Sequence, residues 1–388
     1  MAREADKLKF VGKEEYAKGL EDVITNESSI GYVEGTQGWL IYRGIDIGDL
    51  AEHSNFEETV YLLLYGALPK RQELADFKEK LLRYREVPKQ VFDVLRFLPR
   101  DCHPMAALRT GISALGTYDA KADEVTVSNC NEIAIKLTSQ MATVAAAIAR
   151  LRKGKEPVAP DPTLDLAANF LYMMNGKKPD AEEARLMDIC LMLHADHENN
   201  ASTFSTMVVI SSLSDLYSAV VGGIGSLKGP LHGGANEQVM EILLEIGDPG
   251  KAETWIKNAI ARKVKIMGFG HRVYKAYDPR ARILNKYAKE FTARRSVGHL
   301  YEIAQIVERE VIAAYGGKGI FPNVDFYSGL IYHAMGVETA MYTPIFAVSR
   351  ISGWVARDIE YLADNRIFRP RSLYTGVLKA DYIPMDKR

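Results

Sequence analysis

Apolar side chains recur at steps of three and four residues over most of the chain, which predicts a mainly helical protein. The strongest stripe lies within residues 131–153 and consists of Ile133, Leu137, Met141, Val144, Ile148 and Leu151. The same spacing predicts further helices over residues 71–84, 164–175, 181–194, 235–246, 300–311 and 350–363. The most apolar run, residues 207–225, contains Asp215 and several serines and glycines, so it predicts a buried core helix rather than a membrane span.

One stretch has a different pattern. Residues 29–43 alternate β-forming side chains around a glycine-rich turn, which predicts a small hairpin. After it, Ser54 and Glu57 have the spacing of a capping box at the start of a helix. Since no other run of strands and no internal repeat is found, the sequence predicts an all-α fold with a small N-terminal β-hairpin.

The composition is that of a soluble globular protein. The 388 residues are enough for two domains at about 150 residues each. Hydrophobic residues make up 47% and charged residues 26%, and the net charge of −1 provides no general attraction for nucleic acid or a membrane. The three cysteines lie far apart, and the first twenty residues are charged throughout, so we expect reduced thiols and a cytoplasmic location.

The stretch 268–280 combines three chemical features. Gly268 and Gly270 allow a close approach of the backbone to a ligand, and His271 follows with an imidazole that titrates near neutral pH. Lys275 and Arg280 add positive charge. A histidine beside a glycine turn is more often structural than catalytic, so the interpretation depends on what other segments supply.

Two other segments supply complementary groups. In residues 229–236, Pro230 and paired glycines hold His232 just before a predicted helix, whose N-terminus disfavours a protonated imidazole. A neutral His232 could donate a hydrogen bond to a developing oxyanion. In residues 322–329, apolar neighbours are expected to raise the pKa of Asp325, although Asp325 could instead be a helix N-cap.

Two further groups of side chains have more than one interpretation. His194 and His197, with Asp196 and Glu198, could hold a metal ion, but no further ligand occurs at a suitable distance. Arg350 and Arg369 could be solvated surface charges or planar partners for carboxylates.

Several chemistries are excluded by missing motifs. The chain has no phosphate-binding loop of the G-x-x-x-x-G-K-[ST] type, no G-x-S-x-G elbow and no H-E-x-x-H helix. What remains is two histidines on glycine-rich turns, an aspartate and several arginines. This set suits abstraction of a proton next to a carbonyl in an anionic substrate, with a histidine stabilising the enolate.

Three of these segments, residues 229–236, 268–280 and 323–329, resemble in order and spacing the motifs of the citrate synthase family. The resemblance extends from Lys18 to Arg371 and is closest to the compact dimeric branch, which includes 2-methylcitrate synthases. It implies a two-domain helical fold. The large domain would comprise residues 1–233 and 337–388, and the small domain, residues 234–336, would close over the cleft.

The resemblance also implies an activity: condensation of acetyl-CoA with oxaloacetate and hydrolysis of citryl-CoA, in a homodimer, with no cofactor or metal. Asp325 would be the base, His232 would stabilise the enolate, and His271 would polarise the ketone. The implied oxaloacetate ligands are His197, Arg280, Arg350 and Arg369, with Arg369 acting in the neighbouring subunit's site. The predicted CoA-binding residues are Gly268, Phe269, Gly270, Arg272, Lys275 and Asn323.

Two alternatives stay open. A 2-methylcitrate synthase would use the same residues with propionyl-CoA, because one methylene changes binding by only about 1–3 kcal/mol. A helical metal-binding or scaffold protein without catalysis would use His194, His197 and Glu198 as ligands or leave them inert.

Overall fold

The computed structural model describes residues 17–377 and 379–388, and every structural statement below concerns these residues. They divide into two units. The larger unit comprises residues 28–366, and a small terminal unit combines residues 17–27 with the described residues of 367–388.

The larger unit begins with a three-stranded antiparallel sheet in the order β1 (Gly31–Glu34), β2 (Trp39–Tyr42) and β3 (Ile45–Asp46). Gly31 lies opposite Tyr42, and Ile41 lies opposite Asp46. The predicted hairpin is therefore confirmed. The two-residue strand β3 was not predicted, because an element that short has no periodicity.

The rest of the larger unit is helical, with sixteen α-helices among its described residues. They are α1 (Ile47–His53), α2 (Phe56–Tyr65), α3 (Arg71–Arg83), α4 (Lys89–Phe97), α5 (Pro104–Gly116), α6 (Val127–Arg152), α7 (Leu166–Asn175), α8 (Ala181–His194), α9 (Ala201–Ser211), α10 (Leu216–Leu227), α11 (Ala235–Ile246), α12 (Pro249–Ala261), α13 (Pro279–Arg294), α14 (Gly298–Tyr315), α15 (Val324–Ala334) and α16 (Tyr342–Ala363). The predicted all-α class is confirmed.

Helix α6 is the central element of the core. It begins where the Thr126 hydroxyl accepts the backbone N–H of Asn129, and it packs against α16, α7 and α5. Five of the six residues of its predicted apolar stripe are buried, the exception being Leu151 near the C-terminus. Helix α16 is itself buried from Tyr342 to Ile359, since it also contacts α8, α9 and α10.

Three local predictions were wrong. Ser54 is not the cap of α2: it ends α1, and the Asn55 side chain accepts the N–H of Glu58 instead. Residues 207–225 do not form one helix, because Asp215 caps a new helix, α10, after a turn. Helix α16 begins at Tyr342 rather than near Arg350, so Arg350 lies in its middle.

The terminal unit contains two short 3₁₀ turns, Lys18–Leu20 and Met385–Lys387. Arg369 belongs to this unit and is exposed. Residues 1–16 of the charged N-terminal segment, on which the expected cytoplasmic location partly rests, lie outside the described residues. Among those that are described, no helix is long and apolar enough to cross a membrane.

Candidate active site

Main-chain pairing joins two of the predicted motifs. Phe269 and Pro322 form an antiparallel bridge, the N–H of Gly270 donates to the Phe321 carbonyl (2.8 Å), and the N–H of Asn323 donates to that of Gly268 (2.9 Å). Gly268 and Gly270 both have positive φ, at 81° and 80°, which only glycine adopts readily. The pairing ends one residue before His271 and two residues before Asp325, so it fixes the two segments relative to each other.

His271 is held in one tautomer by the loop that follows it. Its Nδ1 accepts the backbone N–H groups of Val273 (3.0 Å) and Tyr274 (3.2 Å). Since a backbone N–H can only donate, Nδ1 carries no proton and Nε2–H is the free donor. Burial and the nearby Arg280 lower the pKa of His271 to about 4, so the imidazole is neutral at pH 7.

Asp325 lies in the first turn of α15 and is only 7% exposed. Asn323, not Asp325, is the N-cap of this helix, so the capping interpretation of Asp325 was wrong. The Oδ1 atom of Asp325 is buried without a hydrogen-bond partner among the described residues. Burial raises the pKa of this carboxyl to about 7, partly offset by the positive charge of Arg280.

His232 lies two residues before the cap of α11 and contacts Ser202 at the start of α9. Its Nε2 accepts the backbone N–H of Ser202 (3.3 Å) and lies 2.8 Å from the Ser202 hydroxyl, which leaves the proton on Nδ1. The pKa of His232 is lowered to about 4, in the direction expected from the sequence. The principal cause is burial, followed by the charge of Arg350, rather than the helix N-terminus alone.

His197 completes the group of histidines. It is buried, its ring centroid lies 4.8 Å from that of His271, and its Nε2 lies 3.2 Å from the hydroxyl oxygen of Tyr274. Burial, Arg280 and His271 together lower its pKa well below the ordinary value. Tyr274 was part of a predicted motif but was not predicted as a site residue, although its position three residues after His271 was visible.

Two predicted arginines are buried beside these histidines. Arg280 pairs with Asp278 through two contacts of 2.7 and 3.0 Å. Burial alone would lower the pKa of Arg280, but the Asp278 carboxylate raises it above its usual range. Arg350 is 1% exposed, donates from Nε to the carbonyl of His194 (2.7 Å), and lies 4.7 Å from the Phe346 ring.

Arg350 has no carboxylate partner within ion-pair distance among the described residues, in contrast to Arg280. Burial lowers its pKa to about 10, so it stays cationic at neutral pH. Its charge also lowers the pKa values of His197, His232 and Asp325. The predicted catalytic residues and the predicted oxaloacetate ligands of the larger unit are therefore electrostatically coupled to the buried Arg350 cation.

A buried ion pair missed by the sequence analysis supports this group. Asp196 accepts two hydrogen bonds of 2.7 Å each from Arg357 of α16, and Tyr42 of β2 donates to the Asp196 carbonyl (2.9 Å). Burial would raise the pKa of Asp196, but Arg357 lowers it. No motif marks this pair, because its members are 161 residues apart.

The turn between β1 and β2 also contacts the His271 loop. The N–H of Lys275 donates to the carbonyl of Gly35 (2.8 Å), and a Cβ added to Gly35 would lie 2.3 Å from the Val273 carbonyl oxygen. Glu198, next to His197, accepts the N–H of Val33 (2.7 Å). The hairpin thus contacts both segments that contribute the paired histidines.

Some of the predicted CoA-binding residues are exposed, and others form contacts within the protein. Arg272 and Lys275 are exposed, and the Lys275 ammonium lies 3.5 Å from the Arg272 carbonyl oxygen. Main-chain groups of Gly268, Gly270 and Asn323 form the pairing described above, so these residues have a structural role in addition to the predicted contact with CoA. Phe269 packs against Phe326 with ring centroids 4.6 Å apart.

The candidate metal ligands are engaged elsewhere. His194 Nδ1 lies 2.8 Å from the carbonyl oxygen of Cys190, Asp196 pairs with Arg357, and Glu198 bonds to β1. Within the described ranges, no three histidine, cysteine, aspartate or glutamate side chains are grouped so that they could hold a metal ion.

Comparison with known proteins identifies the family. Residues 19–371 match the family model described as citrate synthase, C-terminal domain. The chain belongs to the citrate synthase family. A citrate synthase of Deinococcus radiodurans is 46% identical over 372 residues, covering 96% of this chain and 99% of that protein. Relatives named for 2-methylcitrate also match, among them a citrate/2-methylcitrate synthase of Bacillus subtilis at 41% identity, covering 94% of this chain and 97% of that protein.

Solved structures of the family have the same fold. The citrate synthase of Pyrobaculum aerophilum superposes with a TM-score of 0.90 at 44% identity, over 96% of this chain and 95% of the other. The citrate synthase of Thermoplasma acidophilum, solved as a ternary complex with carboxymethyl coenzyme A and oxaloacetate, gives a TM-score of 0.92 at 37% identity, over 96% and 99%. The chain is therefore a condensing acyltransferase of the citrate synthase type.

Proposed function

We propose that the protein condenses acetyl-CoA with oxaloacetate and hydrolyses the citryl-CoA to citrate and CoA, using no resident cofactor. The observation that carries this proposal is the environment of Asp325. Its carboxyl is buried, has one oxygen without a partner, and has a pKa of about 7. A carboxylate with these properties is a stronger base than a solvated one, and a thioester methyl group is a weak acid that needs such a base.

The arginines support a dianionic substrate. A buried guanidinium without a counter-ion is costly, so the environment of Arg350 favours an anion beside it. A dicarboxylate would supply that anion to Arg350 and compete with Asp278 for Arg280. His197, 4.8 Å from His271 between ring centroids, would contact the same ligand.

In the first step, Asp325 takes a proton from the acetyl methyl group, and the thioester oxygen gains negative charge. His232 would donate its Nδ1–H to that oxygen, because its Nε2 is occupied by Ser202. A well-placed donor of this kind contributes roughly 3–4 kcal/mol to stabilising the developing charge. Because the imidazole of His232 is neutral, it can stabilise the enolate by a hydrogen bond without protonating the enolate carbon.

In the second step, the enolate carbon attacks the ketone carbon of oxaloacetate. His271 would donate a hydrogen bond from Nε2–H to the ketone oxygen. That oxygen takes up one proton to become the hydroxyl of citryl-CoA, which balances the proton that Asp325 took from the methyl group. Water then cleaves the thioester, releasing citrate and the CoA thiol. Closure of the small domain, residues 234–336, over the large domain after oxaloacetate binds would keep water away until the carbon–carbon bond has formed.

We also propose a cytoplasmic homodimer in which Arg369 reaches the partner's site. Helix α16 continues for thirteen residues after Arg350, which is on the order of 20 Å at 1.5 Å per residue. A four-carbon dicarboxylate is much shorter than that. A two-fold dimer would allow each tail to contribute its arginine to the other subunit.

For the thioester, Lys275 and Arg272 are the proposed contacts to the CoA phosphates, because both are exposed beside the His271 loop. Propionyl-CoA is the second candidate substrate, favoured by the match to a citrate/2-methylcitrate synthase. The two acyl groups differ by one methylene, for which binding discriminates by only about 1–3 kcal/mol.

The test is release of the CoA thiol from acetyl-CoA and, separately, from propionyl-CoA, each with oxaloacetate, followed by mass spectrometry of the product. The proposal requires citrate and a higher kcat/KM for acetyl-CoA. A higher kcat/KM for propionyl-CoA would show instead that the protein is a 2-methylcitrate synthase. Absence of thiol release with either thioester would refute both.

A further inference from the structure

Tyr274 contacts both histidines of the proposed oxaloacetate site. Its side chain is 1% exposed, and its ring centroid lies 4.9 Å from that of His271 and 5.3 Å from that of His197. Its backbone N–H and its side-chain hydroxyl contact different histidines. The backbone N–H donates to His271 Nδ1 (3.2 Å), and the hydroxyl oxygen lies 3.2 Å from His197 Nε2.

Both imidazoles are neutral at pH 7, because burial and Arg280 lower their pKa values. A neutral imidazole carries a single proton, so the partner of one ring nitrogen determines whether the other nitrogen donates or accepts. For His271 the backbone N–H groups of Val273 and Tyr274 determine the tautomer, and they leave Nε2–H as the donor. For His197 the deciding partner is the Tyr274 hydroxyl.

Two observations favour the Tyr274 hydroxyl as the donor in this pair. Burial raises its pKa above the usual range, so the O–H bond is intact. The hydroxyl also has no other hydrogen-bond acceptor among the described residues, and a ring nitrogen with a free lone pair satisfies it. Donation to Nε2 places the proton of His197 on Nδ1.

The Nδ1 atom of His197 makes no hydrogen bond to the described part of the chain. In this tautomer it presents an N–H, which a carboxylate oxygen can accept. In the other tautomer it would present a lone pair to an anion, which is repulsive. The state of the Tyr274 hydroxyl therefore decides whether His197 favours or opposes an anionic ligand.

We propose that Tyr274 is a positioning residue whose hydroxyl holds the proton of His197 on Nδ1, so that His197 donates to a carboxylate of the substrate. The identity of that carboxylate rests on the proposed function, whereas the tautomer does not. The observation behind the proposal is that one residue hydrogen-bonds to both histidines, through its backbone to one and through its side chain to the other.

The first experiment measures the tautomer directly by ¹⁵N NMR of the full chain labelled at histidine, without ligand. The His197 signals are those lost in His197→Gln. The proposal requires wild-type His197 to be protonated on Nδ1, and Tyr274→Phe to move the proton wholly or partly to Nε2. His271 should keep its tautomer in Tyr274→Phe, because the backbone N–H remains. A wild-type proton on Nε2 of His197 overturns the proposal, without requiring any variant at position 274.

The second experiment separates KM from kcat. Tyr274→Phe should raise the KM for oxaloacetate about tenfold or more, the range expected for losing a hydrogen bond to a charged group, while kcat changes by less than about threefold. The matched control is Tyr301→Phe, which removes a hydroxyl that donates to Asn285 (2.8 Å) and should keep the wild-type KM. A wild-type KM in Tyr274→Phe contradicts the proposal.

The two hypotheses fail in different ways. If the wild-type protein releases no CoA thiol from acetyl-CoA and oxaloacetate, the proposed function is wrong while the NMR result still decides the tautomer. If citrate is formed but the proton of His197 lies on Nε2, the function stands and the role of Tyr274 is wrong.

Discussion

The side chain of Asn323 donates to the carbonyl of Gly270 (3.1 Å) while its Oδ1 accepts the backbone N–H of Asp325 (3.1 Å). One amide therefore caps the helix that carries the proposed base and also holds the residue before His271. This double contact makes Asn323 a positioning element for both chemical groups, in addition to its predicted contact with CoA.

Asn323→Ala should reduce both stability and turnover. Loss of the cap costs about 1 kcal/mol of unfolding free energy. The freed Gly270 carbonyl allows His271 to move relative to Asp325, and a displacement near 1 Å lowers kcat by about a hundredfold. The matched control is Asn55→Ala, which removes the equivalent cap of α2. Denaturant titration should give similar losses for both variants, whereas kcat should fall in Asn323→Ala only. Equal kcat values would show that the Gly270 contact has no catalytic importance.

Asp325→Asn should lower kcat by several orders of magnitude while leaving oxaloacetate binding nearly unchanged, because the amide keeps the shape but cannot accept the methyl proton. Asp358→Asn is the matched control. Asp358 is likewise buried and has a raised pKa, but it lies on α16 and accepts a hydrogen bond from Thr206 of α9. Steady-state kinetics and calorimetric binding of oxaloacetate measure the two quantities. A tenth or more of wild-type kcat in Asp325→Asn would require another base.

The raised pKa of Asp325 also predicts a pH-dependent cost in stability. Its pKa is about 7 in the folded protein and about 3.9 in an unfolded chain, so the folded state binds more protons between these values. The stabilising preference for the neutral carboxyl is complete below pH 4 and is lost as the pH rises to 7. Relative to wild type, Asp325→Asn should therefore be more stable at pH 8 than at pH 5, as measured by urea unfolding. A stability difference that is the same at both pH values would contradict the raised pKa.

The same group sets the acid limb of activity. Asp325 acts as a base only when ionised, so kcat/KM should fall tenfold per pH unit below about pH 7. His232 and His271 do not interfere in this range, because both titrate near pH 4. An acid limb that begins well below pH 6 would contradict either the raised pKa of Asp325 or its role as the base.

Gly35→Ala should lower activity, because Gly35 in the hairpin turn contacts the loop that orients His271. The added Cβ would lie 2.3 Å from the Val273 oxygen, so the loop that orients His271 must move, at a cost of roughly 1–3 kcal/mol. The control is Gly225→Ala, where a Cβ meets nothing within 4 Å. We expect kcat/KM to fall at least tenfold in Gly35→Ala and to be preserved in Gly225→Ala, measured at a temperature where both variants are folded. Preserved activity in Gly35→Ala would show that the hairpin contact is dispensable.

The proposed action of Arg369 in the partner's site predicts complementation between two inactive variants. When Asp325→Asn and Arg369→Ala are co-expressed with different tags, half of the dimers are mixed, and each has one intact site. Activity should recover to about a quarter of the wild-type value. If Arg369 acts within its own chain, every site carries one lesion, and the mixture stays near zero.

The sequence predicted those parts of the site that lie in glycine-bounded motifs. A proline that restricts the backbone precedes His232 and Asp325, and two glycines that permit a tight turn precede His271, so these segments were visible without a structure. The start of α16 was not visible. Residues 342–349 are all buried, so they show no alternation of apolar and polar faces, and Pro344 resembles a helix-breaking residue. The Asp196–Arg357 pair could not be predicted either, since long-range pairing of common charged residues leaves no local pattern.

The link between the His271 and Asp325 segments consists mostly of main-chain hydrogen bonds, from Gly268 and Gly270 to Phe321 and Asn323. Such bonds do not depend on which side chains occupy the neighbouring positions 269, 321 and 322. Substitutions there can change the surroundings of the two segments while the main-chain pairing keeps the spacing of the proton-transfer groups. Over evolutionary time, the side chains at these three positions could therefore drift without disturbing the relative placement of His271 and Asp325.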